Sequence, residues 1–103
     1  MLKDLILYLY DKELSRAEVE VFLLMACGYT YQEVADLRCC ALKTVKYHIT
    51  GINSKLKIVG RKGILKIIIT IFLPDLKNQI INYLYSHKEN VDRLLWSSKL
   101  GED

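Results

Sequence analysis

Apolar residues recur at helical spacing along most of this chain, and helices are the only regular elements that the pattern predicts. A first run predicts a short helix that ends near Asp11, and its members are Leu2, Leu5, Ile6 and Leu9. Pro74 is the single proline, and no stretch alternates apolar and polar residues between turn residues as a strand would. We therefore expect an all-α fold.

Two helix-start signals follow, at Ser15 and at Thr30. Each begins a Ser/Thr-x-x-Glu sequence, in which the hydroxyl accepts a free backbone N–H of the first turn and the glutamate accepts the N–H of the capping residue. Gly28 lies where the first of these helices should end, because glycine adopts the left-handed conformation without strain. The pattern predicts helices over residues 16–27 and 31–37.

A further helix is predicted over residues 42–57, apolar on one side and polar on the other. The apolar stripe has the spacing i, i+4, i+7 and i+11 and consists of Val45, Ile49, Ile52 and Leu56. The opposite side carries amines, hydroxyls and amides but no carboxylate, and its residues are Lys43, Lys46, Tyr47, Thr50, Asn53 and Ser54. Such groups can read base edges and neutralise phosphates, so this side suits a DNA groove. We expect Tyr47 to be exposed there.

The C-terminal part of the chain has more apolar residues than one small core needs. Residues 64–73 are apolar at eight of ten positions, so a helix there needs burial on more than one side. Pro74 ends it and can open another helix, in which further apolar residues follow, namely Leu76, Ile80 and Leu84, then Val91, Leu94 and Leu95. The surplus favours a dimer interface formed by Ile64, Ile68, Ile71 and Phe72. The alternative is packing against the first helix of the same chain.

Charge is unevenly distributed along the sequence. The formal net charge is only +3, yet no acidic residue occurs between Leu37 and Pro74. This segment holds eight basic residues, so the rest of the chain carries a net charge of −5. The eight are Arg38, Lys43, Lys46, Lys55, Lys57, Arg61, Lys62 and Lys66. A basic segment between acidic flanks is expected where one face meets a polyanion, although a solvated basic surface that binds nothing has the same composition.

Length and composition exclude several classes of protein. At 103 residues, 51% hydrophobic and 26% charged, the chain has the size and composition of one small globular domain. This argues against a two-domain enzyme with its own cofactor fold. The N-terminus lacks a secretory-signal pattern, and no apolar run approaches the roughly 20 residues that span a bilayer. We expect a cytoplasmic protein without membrane contact.

Candidate catalytic and metal-binding groups are sparse. His48 has no acid or nucleophile at a spacing that would activate it, so we expect no enzyme activity. Cys39 and Cys40 are adjacent, which is not the spacing of a zinc site, and only two histidines are present to complete one. We expect no metal and no cofactor. We also expect Cys27, Cys39 and Cys40 to be buried as small hydrophobic residues.

The helix from Thr30, a tight turn and the helix from about Leu42 form a helix-turn-helix, whose second helix enters the major groove of DNA. These residues resemble the LuxR-type (GerE/NarL-type) DNA-binding domain. The matching stretches are Leu14-Ser15 with Glu18, Glu20 and Val21, residues 26–30, Glu33-Val34-Ala35, residues 44–49, and Ile52 with Lys55-Leu56. The resemblance covers roughly residues 14–65 and implies a helix-turn-helix core of about four helices. We expect this domain over residues 14–73, and the apolar spacing adds an N-terminal helix over 1–13 and a C-terminal helical extension over 74–103.

The resemblance also implies which residues contact DNA. Bases in the major groove are contacted, in this family, from the positions of Lys46, Tyr47 and Thr50. Contacts to the sugar-phosphate backbone are expected from Thr30, Tyr31, Lys43, Thr44, His48 and Lys55. The first two of these begin a helix, where backbone amides and the helix dipole can hold a phosphate. Members of the family bind as dimers to two half-sites.

Three single positions depart from the family pattern, and Leu37-Arg38 also reverses the usual order of a charged residue and leucine before the turn. Ala17 replaces an arginine that is usual there, and Ala41 replaces the usual Ser or Thr at the start of the recognition helix, a loss of about 1 kcal/mol. Gly51 lies in the middle of that helix, at a cost near 1 kcal/mol relative to alanine. None of the three adds negative charge to the polar side of the helix.

These features together predict a transcriptional regulator that binds double-stranded DNA in a sequence-specific manner as a homodimer. An alternative is a promoter module similar to region four of sigma factors, which would contact RNA polymerase. A further alternative is a protein-interaction module whose helix-turn-helix no longer meets DNA, with RNA polymerase or another regulator as its partner. Co-purification with polymerase and truncation of the C-terminal extension separate these readings.

Overall fold

The computed structural model describes residues 1–86, and this part of the chain is helical throughout, without a strand. Its elements follow one another with short connections. They are α1 (Leu2–Asp11), α2 (Arg16–Ala26), α3 (Tyr31–Leu37), α4 (Leu42–Leu56), α5 (Gly60–Ile67), a π-helical segment (Ile68–Phe72) and α6 (Pro74–Ser86). The predicted all-α class is confirmed.

The helix starts at Ser15 and Thr30 form as predicted. The Ser15 hydroxyl accepts a hydrogen bond from the backbone N–H of Glu18 at 3.2 Å, and the Ser15 N–H donates to the Glu18 carboxylate at 2.8 Å. The Thr30 cap has the same two bonds, with Glu33 as the partner. Gly28 follows α2 with a φ of +94°, a left-handed conformation that favours glycine.

The core lies around α2, which packs against α1, α3, α4 and α5. Each of the helices α1 to α5 directs its apolar stripe inward, as its periodicity requires. The residues that α2 buries are Val19, Val21, Phe22 and Met25; α4 buries Val45, Ile49 and Ile52; and α3 buries Val34 and Ala35. From α1 the core receives Leu5 and Leu9, and from α5 it receives Ile64 and Ile67. The recognition helix α4 is therefore held from behind over most of its length.

The chain divides into two compact units, Met1–Ile68 and a second that begins at Ile69. The domain boundaries predicted from the sequence stay a prediction. The last predicted apolar group, Val91 with Leu94 and Leu95, lies outside the described residues. Within residues 1–86, no helix combines the length and the apolar character that crossing a membrane would require.

The predicted helix from Ile64 begins four residues earlier, at Gly60. Two residues of the first turn of α5, Gly63 and Arg61, explain this start. A Cβ on Gly63 would overlap the side chain of Ile58, so the glycine lets the first turn of α5 pack against the preceding connection. Arg61, in the same turn, donates hydrogen bonds to backbone carbonyls of Met25 and Tyr29 and so holds α5 to the end of α2.

Candidate nucleic-acid interface

The side of α4 opposite the core is open to solvent. Tyr47 is 75% exposed, which confirms the expectation for that residue, and Lys46 and Thr50 are exposed beside it. Val45 and Ile52, on the other side, are at most 1% exposed. The Thr50 hydroxyl donates to the carbonyl oxygen of Lys46 at 3.0 Å, which leaves its oxygen lone pairs able to accept a further hydrogen bond. We call this side, formed by Lys43, Lys46, Tyr47, Thr50 and Ser54, the outer face of α4.

His48 and Thr44 lie at the edge of the outer face. Thr44 is exposed, whereas His48 is half-buried and contacts the ring of Tyr47 edge-to-face, with the ring centroids 5.8 Å apart. The Tyr47 ring lies against His48 on one side, while most of its surface is open to solvent.

The start of α3 carries the capping box predicted at Thr30, and the DNA-backbone contacts expected from Thr30 and Tyr31 stay a prediction. Thr30 and Tyr31 are exposed there, but the Thr30 N–H donates to the Glu33 carboxylate at 2.9 Å. That backbone hydrogen bond, together with the one from the Thr30 hydroxyl, holds the pKa of the Glu33 carboxyl below its usual value. One of the amides predicted to face a phosphate is thus satisfied by the protein itself.

The side chain of Lys55 forms an ion pair with Glu18 of α2. Its ammonium nitrogen lies 2.6 Å from a Glu18 carboxylate oxygen, and the Lys55 side chain is 39% exposed. The Glu18 carboxylate also lies against the backbone of Gly51, where a Cβ would overlap it. Gly51 is therefore the residue that allows α2 to approach α4 so closely, and the helix propensity lost there is a consequence of this contact.

The environment of Glu18 keeps it ionised although it is only 6% exposed. Burial raises the pKa of the Glu18 carboxyl, but hydrogen bonds from Lys55 and Ser15 outweigh this effect and leave the pKa below its usual value. One carboxylate thereby caps α2 and holds α4. The ammonium of Lys55 pairs with this carboxylate, and only the exposed part of its side chain faces solvent.

Two other basic residues of the acid-free segment also have partners within the protein. Arg38 forms an ion pair with Glu20, and Arg61 binds carbonyls at the end of α2. The remaining five are exposed and have no side-chain hydrogen bond or ion pair within residues 1–86. They are Lys43, Lys46, Lys57, Lys62 and Lys66. The charge available to a polyanion is smaller than the sequence suggests, and it is concentrated along α4 and the start of α5.

The expectation for the cysteines is wrong. Cys27 and Cys39 are exposed and Cys40 is half-buried, with all three thiols free. The reason is local, since Cys27 is the C-cap of α2 and Cys39 takes a left-handed conformation, with a φ of +54°, in the turn between α3 and α4. Within residues 1–86, no group of three or more His, Cys, Asp or Glu residues could hold a metal ion.

Of the four residues predicted for a dimer interface, Ile64 is placed in the core. It is 2% exposed and cannot contribute a side chain to a contact between subunits. Ile71 is 47% exposed, and Ile68 and Phe72 are half-buried. Ile64 is buried because α5 packs against α2.

Sequence reasoning missed the structural roles of Glu18, Gly51 and Arg61. The pair of Glu18 and Lys55 joins residues 37 positions apart, and such a contact leaves no trace in the periodicity of either helix. One signal was present: a glycine inside a helix often marks a close approach of another chain segment. That reading of Gly51 would have pointed to a neighbour on its side of α4.

Comparison with known proteins agrees with this geometry. Residues 12–67 match the model of the family described as "Bacterial regulatory proteins, luxR family". A stretch of 48 residues is 44% identical to the response regulator protein VraR of Staphylococcus aureus (strain NCTC 8325 / PS 47) and, equally, to those of Staphylococcus epidermidis and Staphylococcus saprophyticus. It covers 47% of this chain and 23% of each relative. No solved structure matches the chain. The chain belongs to the luxR family of bacterial regulatory proteins and carries its DNA-binding helix-turn-helix.

Proposed function

We propose that this protein is a sequence-specific transcriptional regulator that binds double-stranded DNA as a homodimer, with α4 in the major groove. The observation that carries the proposal is the outer face of α4, where amines and hydroxyls are exposed and no carboxylate occurs. A major groove about 12 Å wide admits a helix, and donors and acceptors of this kind distinguish its base pairs.

The outer face supports a division of roles among its residues. Lys46, Tyr47 and Thr50 lie on it and contact bases. A lysine ammonium donates to guanine O6 or N7. A hydroxyl can donate a hydrogen bond to, or accept one from, either base of a pair, and the tyrosine ring can pack on a thymine methyl group. Contacts to the DNA backbone come from Lys43, Thr44 and His48, from Thr30 and Tyr31 at α3, and from the part of Lys55 that Glu18 leaves exposed.

Homodimerisation is proposed through the apolar residues that follow the core of α5. Ile71, with Ile68 and Phe72 beside it, offers exposed apolar surface in the π-helical segment. Two copies related by a two-fold axis would present two α4 helices to half-sites about one helical turn, roughly 34 Å, apart. DNA with this symmetry would then bind both subunits at once.

The test is a fluorescence-anisotropy titration of labelled duplexes at several salt concentrations. We expect affinity to fall steeply with salt, because each neutralised phosphate releases counterions. Lys46→Ala should reduce the preference for one sequence over another, while Lys43→Ala should weaken binding to all duplexes alike. Lys3→Ala, on α1, is the matched control and should bind like the wild type. Binding that is absent, or that does not respond to salt, contradicts the proposal.

A second candidate function, protein interaction through α6, is favoured by the exposure of its apolar residues. Leu76 is 44% exposed and Ile80 is 46% exposed. Truncation after Leu73 separates the two functions. If regulation is lost while DNA binding is retained, the extension contacts another protein, and co-purification with RNA polymerase would identify a promoter module. If DNA affinity falls with truncation instead, the extension serves the DNA-bound dimer.

A further inference from the structure

Lys57 occupies a backbone conformation that disfavours every residue except glycine. It is the C-cap of α4 and takes a φ of +55° and a ψ of +49°, the left-handed region. Glycine is the usual residue at such a helix end, because it has no Cβ to clash with the following carbonyl. The sequence nevertheless places a lysine here, and its side chain is exposed. Backbone strain does not explain that choice, since relief of strain would favour glycine.

Lys62 is also in a position that local electrostatics disfavour. It lies in the first turn of α5, where the helix dipole is positive and acidic residues are stabilising, yet that turn contains no acidic residue. Its neighbour Arg61 is compensated by the carbonyls of Met25 and Tyr29. Lys62 is exposed, and its ammonium has no such partner within residues 1–86. The protein itself offers no stabilising contact for this cation.

The connection that carries these two lysines is held firmly to α4. The backbone carbonyl of Asn53 accepts the Ile58 N–H at 3.1 Å, and the Asn53 side chain accepts the Gly60 N–H at 3.0 Å. Gly63 packs directly against Ile58 on the other side. We call the segment from Lys57 to Lys62 the basic corner. Its backbone is fixed relative to α4, so its charges are presented in a defined place.

The basic corner continues the outer face of α4. Lys57 follows Lys46 by eleven residues, close to three full helical turns, so its Cα lies on nearly the same side of the helix axis as the Cα of Lys46. About 16 Å of helix axis separates them. A rod of this length in the major groove brings its far end near the phosphates that border the groove, where a cation is attracted whatever the base sequence.

We propose that Lys57 and Lys62 bind DNA phosphates and form a second contact region beyond the base-reading part of α4. This inference rests on the proposed DNA-binding function. The left-handed lysine and the uncompensated cation in α5 are then explained together, since a polyanion stabilises both charges in the complex. The alternative for Lys57 is structural, because a cation at the end of α4 also interacts favourably with the helix dipole.

Lys57→Gly separates the two explanations, because they predict opposite changes in stability. If the lysine serves DNA, the glycine variant should melt at the same or a higher temperature than the wild type, since glycine relieves the left-handed strain. Its affinity should fall about threefold or more at low salt, equally for specific and random duplexes. The slope of log affinity against log salt should become shallower by about 0.9 for each lysine removed.

Three further variants complete the test. Lys62→Ala should reduce the salt slope by the same amount, Lys57→Arg should keep the wild-type slope, and Lys3→Ala should leave it unchanged. A wild-type slope in Lys57→Gly and Lys62→Ala would overturn this inference while leaving the proposed function intact. A lower melting temperature in Lys57→Gly, without a change in slope, would overturn it in favour of the structural role. No binding of any duplex by the wild type would overturn both proposals.

Discussion

Lysines on the two flanks of α4 differ in whether they pair with a carboxylate of the protein. Lys46 and Lys57 lie on one flank, exposed and without a side-chain partner within the described part of the chain. Lys55 follows Lys46 by nine residues, two and a half turns, so it lies on the opposite flank and pairs with Glu18 at 2.6 Å. Charge counted along the sequence treats these lysines alike. In the folded protein, the ammonium of Lys46 has no internal partner, whereas that of Lys55 is paired with a buried carboxylate.

The difference depends on Glu18 and Gly51. Glu18 brings a buried carboxylate to the second flank, and Gly51 leaves the space that this carboxylate needs. The recognition helix is thus fixed by its apolar stripe from behind and by one ion pair at the side. Substitutions of Glu18 and Gly51 should change stability, whereas substitution of Lys46 should change DNA binding.

The largest effect is expected from Glu18→Ala. This substitution removes the capping glutamate of α2 and the ion pair to Lys55 at once. A lost cap costs about 1 kcal/mol, and hydrogen bonds to a charged group contribute about 1.5–3 kcal/mol. Since Lys55 is 39% exposed and can be solvated, we expect a total loss of about 3 kcal/mol in the free energy of unfolding, measured by urea denaturation.

Arg16→Ala is the control for that measurement. It removes an exposed ion pair with Glu20 in the same helix, in which the Arg16 side chain is 86% exposed, and such pairs contribute about 0–1 kcal/mol. Equal losses of unfolding free energy in the two variants would show that the buried Glu18 carboxylate contributes no more to stability than an exposed ion pair does.

Gly51→Ala should give a smaller effect whose sign depends on Glu18. In the wild type, the new Cβ overlaps the Glu18 carboxylate, and we expect a net loss of about 1–2 kcal/mol despite the better helix propensity of alanine. In a Glu18→Ala background the overlap is gone, so the same substitution should stabilise by about 1 kcal/mol. Urea denaturation of the four proteins in this cycle measures the reversal, and a stabilising Gly51→Ala in the wild type would refute the close approach.

The smallest expected effect is a change in the pH dependence of stability when Glu18 is replaced. The pKa of Glu18 is lower in the folded protein than in the unfolded chain, so its contribution is complete above the unfolded value of about 4.3 and is lost as the pH falls through the folded value. The stability difference between wild type and Glu18→Gln should therefore shrink as the pH falls below about 4. Lys46→Ala, which leaves the Glu18 carboxylate and its hydrogen bonds in place, should retain the wild-type loss of stability at low pH.

Local signals predicted most of the fold. Ser15 and Thr30 are recognisable as caps because the hydroxyl and the glutamate that complete each motif are three residues apart in one turn. The stripe of Val45, Ile49 and Ile52 assigned the inner side of α4, and the exposure of Tyr47 followed from it. These features depend on contacts within a single helix, which a sequence displays directly.

The errors concern contacts between helices or the conformation of turns. Cys39 was expected in the core, but it lies in a left-handed turn whose geometry its sequence neighbours do not specify. Ile64 was assigned to an interface between subunits, but it lies in the core. Its burial depends on how α5 is placed and packed against α2, which the spacing of apolar residues does not specify. The state of each lysine depends on whether a carboxylate from another helix reaches it, as Glu18 reaches Lys55.

The most direct test of the central claim, that the outer face of α4 reads DNA sequence, is selection of bound sites from a pool of random duplexes. The account predicts enrichment of two symmetric half-sites whose centres lie about one helical turn apart. It also predicts that Lys46→Ala loses the preference at one base position in each half-site while it retains the spacing. A pool that remains random after repeated selection with the wild-type protein would contradict the account.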